Sequence, residues 1–378
     1  MPEQHAVLSA SSSKMWMSCP PSAQLNAAAN DTPSEYAKQG TAAHLWAETK
    51  VKSILGQNLK DPTDGAEYYD AEMAECTDSY AQYVSEQIEK AKQQCGDPIV
   101  LVEQRVDFSR WVPGGFGTAD AIIVSDDVLS IIDLKYGAGI PVDAEKNSQM
   151  MCYALGALGL FDGIYDIGKI SMTIFQPRRE NISVYEISKA ELLEWADTKL
   201  APAAELASKG EGEFHAGEHC RFCMVKATCR KRAEYNLKLA QYDFKMPDIL
   251  EDAEIEMILS KVDDLVSWAS DIKEYALMQA VNGKQWHDWK VVEGRSNRKY
   301  TDEGLVADTV KNAGFDPYEH KILGITAMTK LLGKNKFEDL LGGFIEKPKG
   351  KPTLVPMSDK RPALSKAADA ADDFKEEI

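Results

Sequence analysis

The chain has 378 residues, 44% apolar and 27% charged, the proportions of an ordinary globular protein with material for two or three domains. It contains no apolar run of the length a membrane-spanning helix requires, and its start lacks the basic-then-apolar order of a secretory signal, so a cytoplasmic protein with no membrane partner is expected. A net charge of −17 excludes a protein that coats nucleic acid by bulk attraction, but not an enzyme that grips it through local patches and metal ions.

Residues 34–55 and 71–94 carry helical patterns. The period then changes to that of strands: "PIVLVEQRVDF" (98–108), "FGTADAIIV" (116–124) and 128–135, joined by short turns, predict an antiparallel meander. A helix over roughly 143–160, a strand over 167–177 and a neighbour in "ISVYEI" follow. "SKAE" (188–191) is a capping-box pattern that opens the next helix. This order predicts a mixed α/β core with helices flanking a central sheet. Beyond it, 251–281 is helical and acidic, and "NGKQWHDWKVVEGRSNRKY" suggests a hairpin or compact loop unit. The last thirteen residues, "KAADAADDFKEEI", form an acidic tail.

Asp133 and Lys135 stand one residue apart at the end of an apolar strand, so they share a face while Leu134 points the other way. Asp120, one strand earlier in "GTAD", can lie beside Asp133. Two carboxylates brought together need a proton or a cation between them, and Mg²⁺ is commonly held by one or two carboxylates plus water. A lysine beside such a site can polarise a water or stabilise charge growing on a phosphate. The plainer reading of D-x-K alone is a salt bridge at a strand end. Gln149 and Tyr153, four apart on the next predicted helix, face the same way and offer an amide and a phenol. His44, in "GTAAH", stands in small, apolar surroundings and could add a nitrogen ligand.

Taken together, "GTAAH", "GTAD", "IIDLKYG" and "QMMCY" resemble, in order and rough spacing, the RecB-type branch of the PD-(D/E)xK nuclease superfamily. The resemblance implies a restriction-endonuclease-like core with a mixed central sheet. It assigns the divalent metal, Mg²⁺ or Mn²⁺, to His44, Asp120 and Asp133, with the Leu134 carbonyl as a further ligand. Lys135 would be the catalytic lysine, and Gln149 and Tyr153 would match the family's Q-x-x-x-Y motif. Glu103, in "LVEQRVDF", stands where many relatives carry a glutamate, with a weaker claim to a role.

Of seven cysteines, three are clustered as C-x2-C-x5-C: Cys220, Cys223 and Cys229. Three thiolates need one more ligand to complete a tetrahedral zinc or a four-iron cluster. By spacing alone the fourth would be His215 or His219 around zinc. "SASSSKMWMSCPPSAQL", however, resembles the start of the superfamily's iron–sulfur nucleases, the AddB-type helicase–nucleases among them. In those proteins one N-terminal cysteine joins three that follow the core. That resemblance puts Cys19 with Cys220, Cys223 and Cys229 around a [4Fe–4S] cluster acting as a structural staple, with Zn²⁺ as the alternative. Cys76, Cys95 and Cys152 have no partners at ligand spacing.

The C-terminal third resembles the extension of a phage-encoded family of unknown function. Its cations beside aromatics, Arg295, Arg298 and Lys299 with Trp286 and Trp289, suit a grip on DNA. Lys347, Lys349, Lys351, Lys360 and Arg361 could follow a phosphate backbone. The expected organisation is a nuclease domain with its cluster over 1–235, a mostly helical accessory region over 236–365 and the tail over 366–378. The expected function is a metal-dependent exonuclease acting on DNA ends in phage recombination or replication, inside the bacterial host, with a single-strand annealing or binding protein as a natural partner. The alternatives are a catalytically silent DNA-binding module that keeps the fold, and a zinc-stabilised interaction protein.

Overall fold

A computed structural model of the chain describes all residues except 1–5, 30–34, 58, 61, 64–67, 162, 241–249, 294–299, 319–321, 347–354 and 356–378, and the side chains of 239, 240, 326, 330, 334 and 335. It divides into two compact units, 1–279 and 280–378. Among the described residues, no helix is long and apolar enough to cross a membrane.

In the first unit, two short helices, α1 (Ser13–Ser18) and α2 (Ser22–Ala27), precede the long α3 (Glu35–Ile54) and α4 (Ala71–Cys95). Strands β1 (Ile99–Asp107), β2 (Phe116–Ser125) and β3 (Val128–Leu134) follow as the antiparallel meander the alternation predicts. Helix α5 (Ser148–Phe161) crosses over to β4 (Lys169–Gln176), which pairs in parallel with β3, and β5 (Asn181–Ser188) closes the sheet antiparallel to β4. A parallel pair requires such a crossover, and it makes the five-stranded sheet mixed, in the order β1-β2-β3-β4-β5.

Strand alternation gives the sheet two cores. Ile122, Val124, Leu129 and Ile131 point to one side, where α5 lies. Ala121, Ile123, Ile132 and Leu134 point to the other, against Tyr80, Val84 and Ile88 of α4. Each such side chain contributes roughly 1.5–3 kcal/mol on burial. Helix α5 is buried nearly all round, as an apolar sequence without a polar face requires.

Two predicted helices differ from expectation for local reasons, and one pair of helices arises from a distant contact. The helix expected from 143 starts at Ser148, because the fully buried amide of Gln176 holds the preceding loop open. It accepts from Val142 N at 3.1 Å and donates to the Gly137 and Ile140 carbonyls at 2.9 and 3.2 Å. The helix opened by "SKAE" has its capping box, with Ser188 N donating to Glu191 Oε2 at 2.8 Å. It runs as α6 (Lys189–Trp195), widens to a π turn over Ala196–Leu200, and resumes as α7 (Ala201–Lys209). Pro202 has no N–H to return to the preceding turn, and a π turn accommodates that loss. The N-terminal helices were not expected at all. Trp16 makes them: it is fully buried in the α5 core, and its indole N–H donates to the Ser9 carbonyl at 3.1 Å.

After the cysteine segment come α8 (Arg230–Ala240) and α9 (Asp252–Val281). Asp271 of α9 pairs with Arg232 and, at 2.9 Å, with Lys226. Those ion pairs tie α9 to the segment after the core, within the compact unit that runs to 279.

The second unit holds α10 (Glu303–Asn312), capped by the Asp302 side chain on Leu305 N, then α11 (Ile325–Leu332) and α12 (Lys334–Leu341). Among the described residues of the expected hairpin or compact loop unit, one isolated bridge joins Trp286 and Trp289. Arg295, Arg298, Lys299, Lys347, Lys349, Lys351, Lys360, Arg361 and the acidic tail lie outside the described residues.

Candidate functional site

At the C-terminal end of β3 the chain brings together residues from α3, three strands and α5. The small residues Ala43 and Ala47 seat α3 in the core and set His44 beside β2, where its Nδ1 lies 3.2 Å from Asp120 Oδ1. The other Asp120 oxygen accepts from the Leu134 backbone N–H at 2.6 Å. It is thus the Leu134 amide that reaches this carboxylate. Glu103 arrives by a break in the pairing: Val102 faces Ala121 and Gln104 faces Ala119, but Glu103 itself adopts a left-handed φ of 51°. For a non-glycine residue in a strand this is strained, and it takes the side chain out of the strand's alternation.

His44, Glu103 and Asp120 offer ligand atoms that all lie within 4.8 Å of one another, the set among the described residues that could hold a metal ion. Burial works against charge on His44, but Asp120 and the contact between them outweigh it and raise its pKa to about 9. Burial, then Asp120, pushes Glu103 up to about 8. Burial alone would raise Asp120; the imidazole beside it prevails and holds this carboxylate below its usual range. The cluster therefore keeps protons that a cation would displace.

Asp133 lies beside this set instead of within it. It is buried, its Oδ1 accepts from Gln149 Nε2 at 3.3 Å, and its Oδ2 lies 3.0 Å from the Lys135 ammonium. That Oδ2 nevertheless has no partner in hydrogen-bond geometry. Burial raises the Asp133 pKa. Gln149 joins the remaining groups: its Oε1 accepts from Lys135 Nζ at 3.0 Å and its Nε2 donates to Tyr153 Oη at 3.0 Å. Burial pushes the Tyr153 phenol up, so it stays protonated.

Gly117 completes the arrangement. A Cβ there would stand 2.8 Å from Tyr153 Cε1, so only glycine lets the ring lie against β2. The "GTAD" motif contains this residue, but strand patterning carries no sign of its role. Every residue expected at this site from the sequence is thus gathered here, with Glu103 closer to its centre than its isolated appearance suggests.

The four expected cysteines also converge. Cys19, at the end of α1, lines one small recess with Cys220, Cys223 and Cys229, and His215, His219 and Arg232 line it too. Yet among the described residues no three of these cysteine and histidine ligand atoms come mutually within 4.8 Å. Asn26 Nδ2 donates to Cys223 Sγ at 3.7 Å and Gly217 N to Cys220 Sγ at 3.4 Å. Ser22 Oγ, buried on the wall of the same recess, has no hydrogen-bond partner. Asn26 Oδ1 accepts from Met224 N at 2.6 Å, tying α2 to the cysteine loop.

Among solved structures, one titled "Crystal structure of SSO0001" is similar to this chain at 16% identity, covering 51% of this chain and 98% of that one. Its TM-score is 0.22, too low to carry an argument. The family comparison covers far more: residues 5–362 match the model of DUF2800, described as a protein of unknown function, and the chain belongs to that family.

Proposed function

We propose that this protein is a divalent-metal-dependent deoxyribonuclease that hydrolyses phosphodiester bonds at DNA ends, on a core of the PD-(D/E)xK kind. One observation carries the reading: His44, Glu103 and Asp120 lie within ligand distance of one another, directly beside the linked set Asp133, Lys135, Gln149 and Tyr153. A salt bridge at a strand end would need none of these neighbours. Asp133 Oδ2, 3.0 Å from the Lys135 ammonium and without a hydrogen bond, keeps a lone pair open to a further cation.

His44, Glu103 and Asp120 would hold Mg²⁺ or Mn²⁺, with Asp133 beside them to complete the set. When bound, such an ion supplies Lewis acidity and lowers the pKa of a coordinated water. Lys135 keeps a positive charge 3.0 Å from Asp133, where the oxygens of a phosphate gain charge during hydrolysis. Gln149 fixes that ammonium by its carbonyl and Asp133 by its amide, so acid and base hold one separation. Tyr153, cradled on Gly117, orients Gln149 in turn.

The same reading gives Cys19, Cys220, Cys223 and Cys229 a [4Fe–4S] cluster. A single zinc ion with bonds of ~2.3 Å would draw its sulfurs to roughly 3.8 Å of one another. Among the described residues no three of these ligand atoms come mutually within 4.8 Å, a spacing that suits the larger cluster better than one zinc ion. The unpartnered Ser22 hydroxyl and the N–H groups aimed at sulfur suit an anionic, sulfur-rich occupant. Its task is structural: it joins the N-terminal helices to the segment that follows the core.

The test uses anaerobically purified protein and its Asp133→Ala variant on end-labelled linear DNA and covalently closed circles, with Mg²⁺ or Mn²⁺. Digestion of linear DNA alone, lost in the variant, is the expected result. Cutting of circles would make it an endonuclease. Metal binding without any cleavage by the wild type would favour the silent binding module.

A further inference from the structure

The segment Cys220–Arg232 is basic. It holds Arg221, Lys226, Arg230, Lys231 and Arg232 and no acidic residue, in a protein of net charge −17. The five cations divide into two groups. Lys226 and Arg232 are committed to Asp271 of α9. Arg221, Arg230 and Lys231 are exposed and have no carboxylate partner among the described residues.

Their surroundings are shaped for an extended anion. Arg230 and Lys231 lie along a groove walled by Leu25, Phe214 and Val225, and Glu213 and Glu234 lie on it as well. Phe222 is 74% exposed, and the Arg221 guanidinium lies over its ring at 6.0 Å. An aromatic this exposed gains little for the fold, and the arginine beside it adds positive charge at the ring. The loop itself is anchored, since Met224 N is held by Asn26 and Cys220 and Cys223 are buried. The exposed side chains are therefore carried on a fixed base.

We propose that the cysteine loop is a binding surface for single-stranded DNA, with Arg230 and Lys231 on the phosphates and Phe222, backed by Arg221, stacking on an unpaired base. Arg221, Arg230 and Lys231, none in an ion pair among the described residues and together outnumbering Glu213 and Glu234, give the charge complementarity, and the exposed ring selects an unpaired base over a stacked duplex. The inference deepens the proposed nuclease reading by naming where the strand is gripped, and it assigns the loop a second task besides holding its cluster.

The test is DNA binding, not cleavage: fluorescence anisotropy of a labelled single-stranded oligonucleotide in divalent-free buffer across a salt series. The proteins are iron-loaded wild type, Arg230→Gln/Lys231→Gln, Phe222→Ala and Phe222→Trp, with Lys90→Gln as an exposed control on α4. Iron content and melting temperature establish that each variant is folded. Neutralising both cations should lower the slope of log affinity against log salt by about 1.4. Phe222→Ala should weaken binding roughly tenfold, with Phe222→Trp restoring it. An unchanged slope in the double variant, or unchanged affinity in Phe222→Ala, would overturn the proposal. Because no cleavage is read, a wild type that binds through this loop but never cuts DNA would sink the nuclease reading and leave this one standing.

Discussion

The sheet-end site and the cysteine recess lie in the same compact unit but are built in opposite ways. At the sheet end the protein supplies its own partners: His44 for Asp120, Gln149 and Lys135 for Asp133, Tyr153 for Gln149. That network rests on strands and helices and stands without an ion. In the recess, the contacts to the thiols are long: Asn26 Nδ2 to Cys223 at 3.7 Å, Gly217 N to Cys220 at 3.4 Å and Cys220 Sγ to the His215 carbonyl at 3.9 Å, with the Ser22 hydroxyl beside them lacking a partner. The elements there are short helices and loops joined from opposite ends of the core. On the proposed reading, the difference separates a site that would add an ion to a finished fold from one whose occupant would finish the fold.

The largest effect should come from the recess. If the proposed cluster is present, Cys223→Ser removes one of its ligands and opens a ring of some two hundred residues, and cross-linking a loop of that size stabilises by on the order of 5 kcal/mol. Urea unfolding of anaerobically prepared protein should show a loss of that order together with loss of bound iron. An iron-free wild type of equal stability would erase the contrast between the two regions.

A smaller effect is expected at the sheet end. Gly117→Ala places a methyl group 2.8 Å from the Tyr153 ring and should cost about 1–3 kcal/mol by overpacking. It should also displace Tyr153 from Gln149 and slow cleavage. Gly139→Ala, with nothing within 4 Å of its Cβ, is the matched control and should change neither stability nor rate.

The smallest effect concerns the ion pairs that tie α9 to the segment after the core. Asp271 is opposed first by burial, but Lys226 and Arg232 prevail and lower its pKa. A depressed carboxylate stabilises fully above its unfolded pKa of about 3.9 and loses that contribution as pH falls through the folded value. Asp271→Asn should therefore cost about 1 kcal/mol at neutral pH. The gap between wild type and variant should close in melts taken below about pH 4. A gap that widened with acid would contradict the assignment.

Much of this was legible in the sequence, and the failures are physical. Strand alternation and the D-x-K spacing place Asp133 and Lys135 on one face, as the contact at 3.0 Å bears out. The capping box at Ser188 and Glu191 is a local signal and is present. Glu103 was undervalued because its left-handed backbone breaks the alternation by which a strand residue is read. The N-terminal helices were missed because Trp16, in contact with the distant α5 core, holds them where local propensity would not. Nothing near Asp271 in sequence announces Arg232, thirty-nine residues away. Gly117 is visible only once Tyr153 lies over it.

The most direct measurement is the rate of cleavage of an end-labelled linear duplex by iron-loaded wild type and Lys135→Met, at Mn²⁺ concentrations giving both proteins equal metal occupancy. If the carboxylate cluster and Lys135 form one hydrolytic site, the variant should bind Mn²⁺ as the wild type does and cut about 10²–10³-fold more slowly. Equal rates in the two proteins, or no cutting by a metal-loaded wild type, would contradict it.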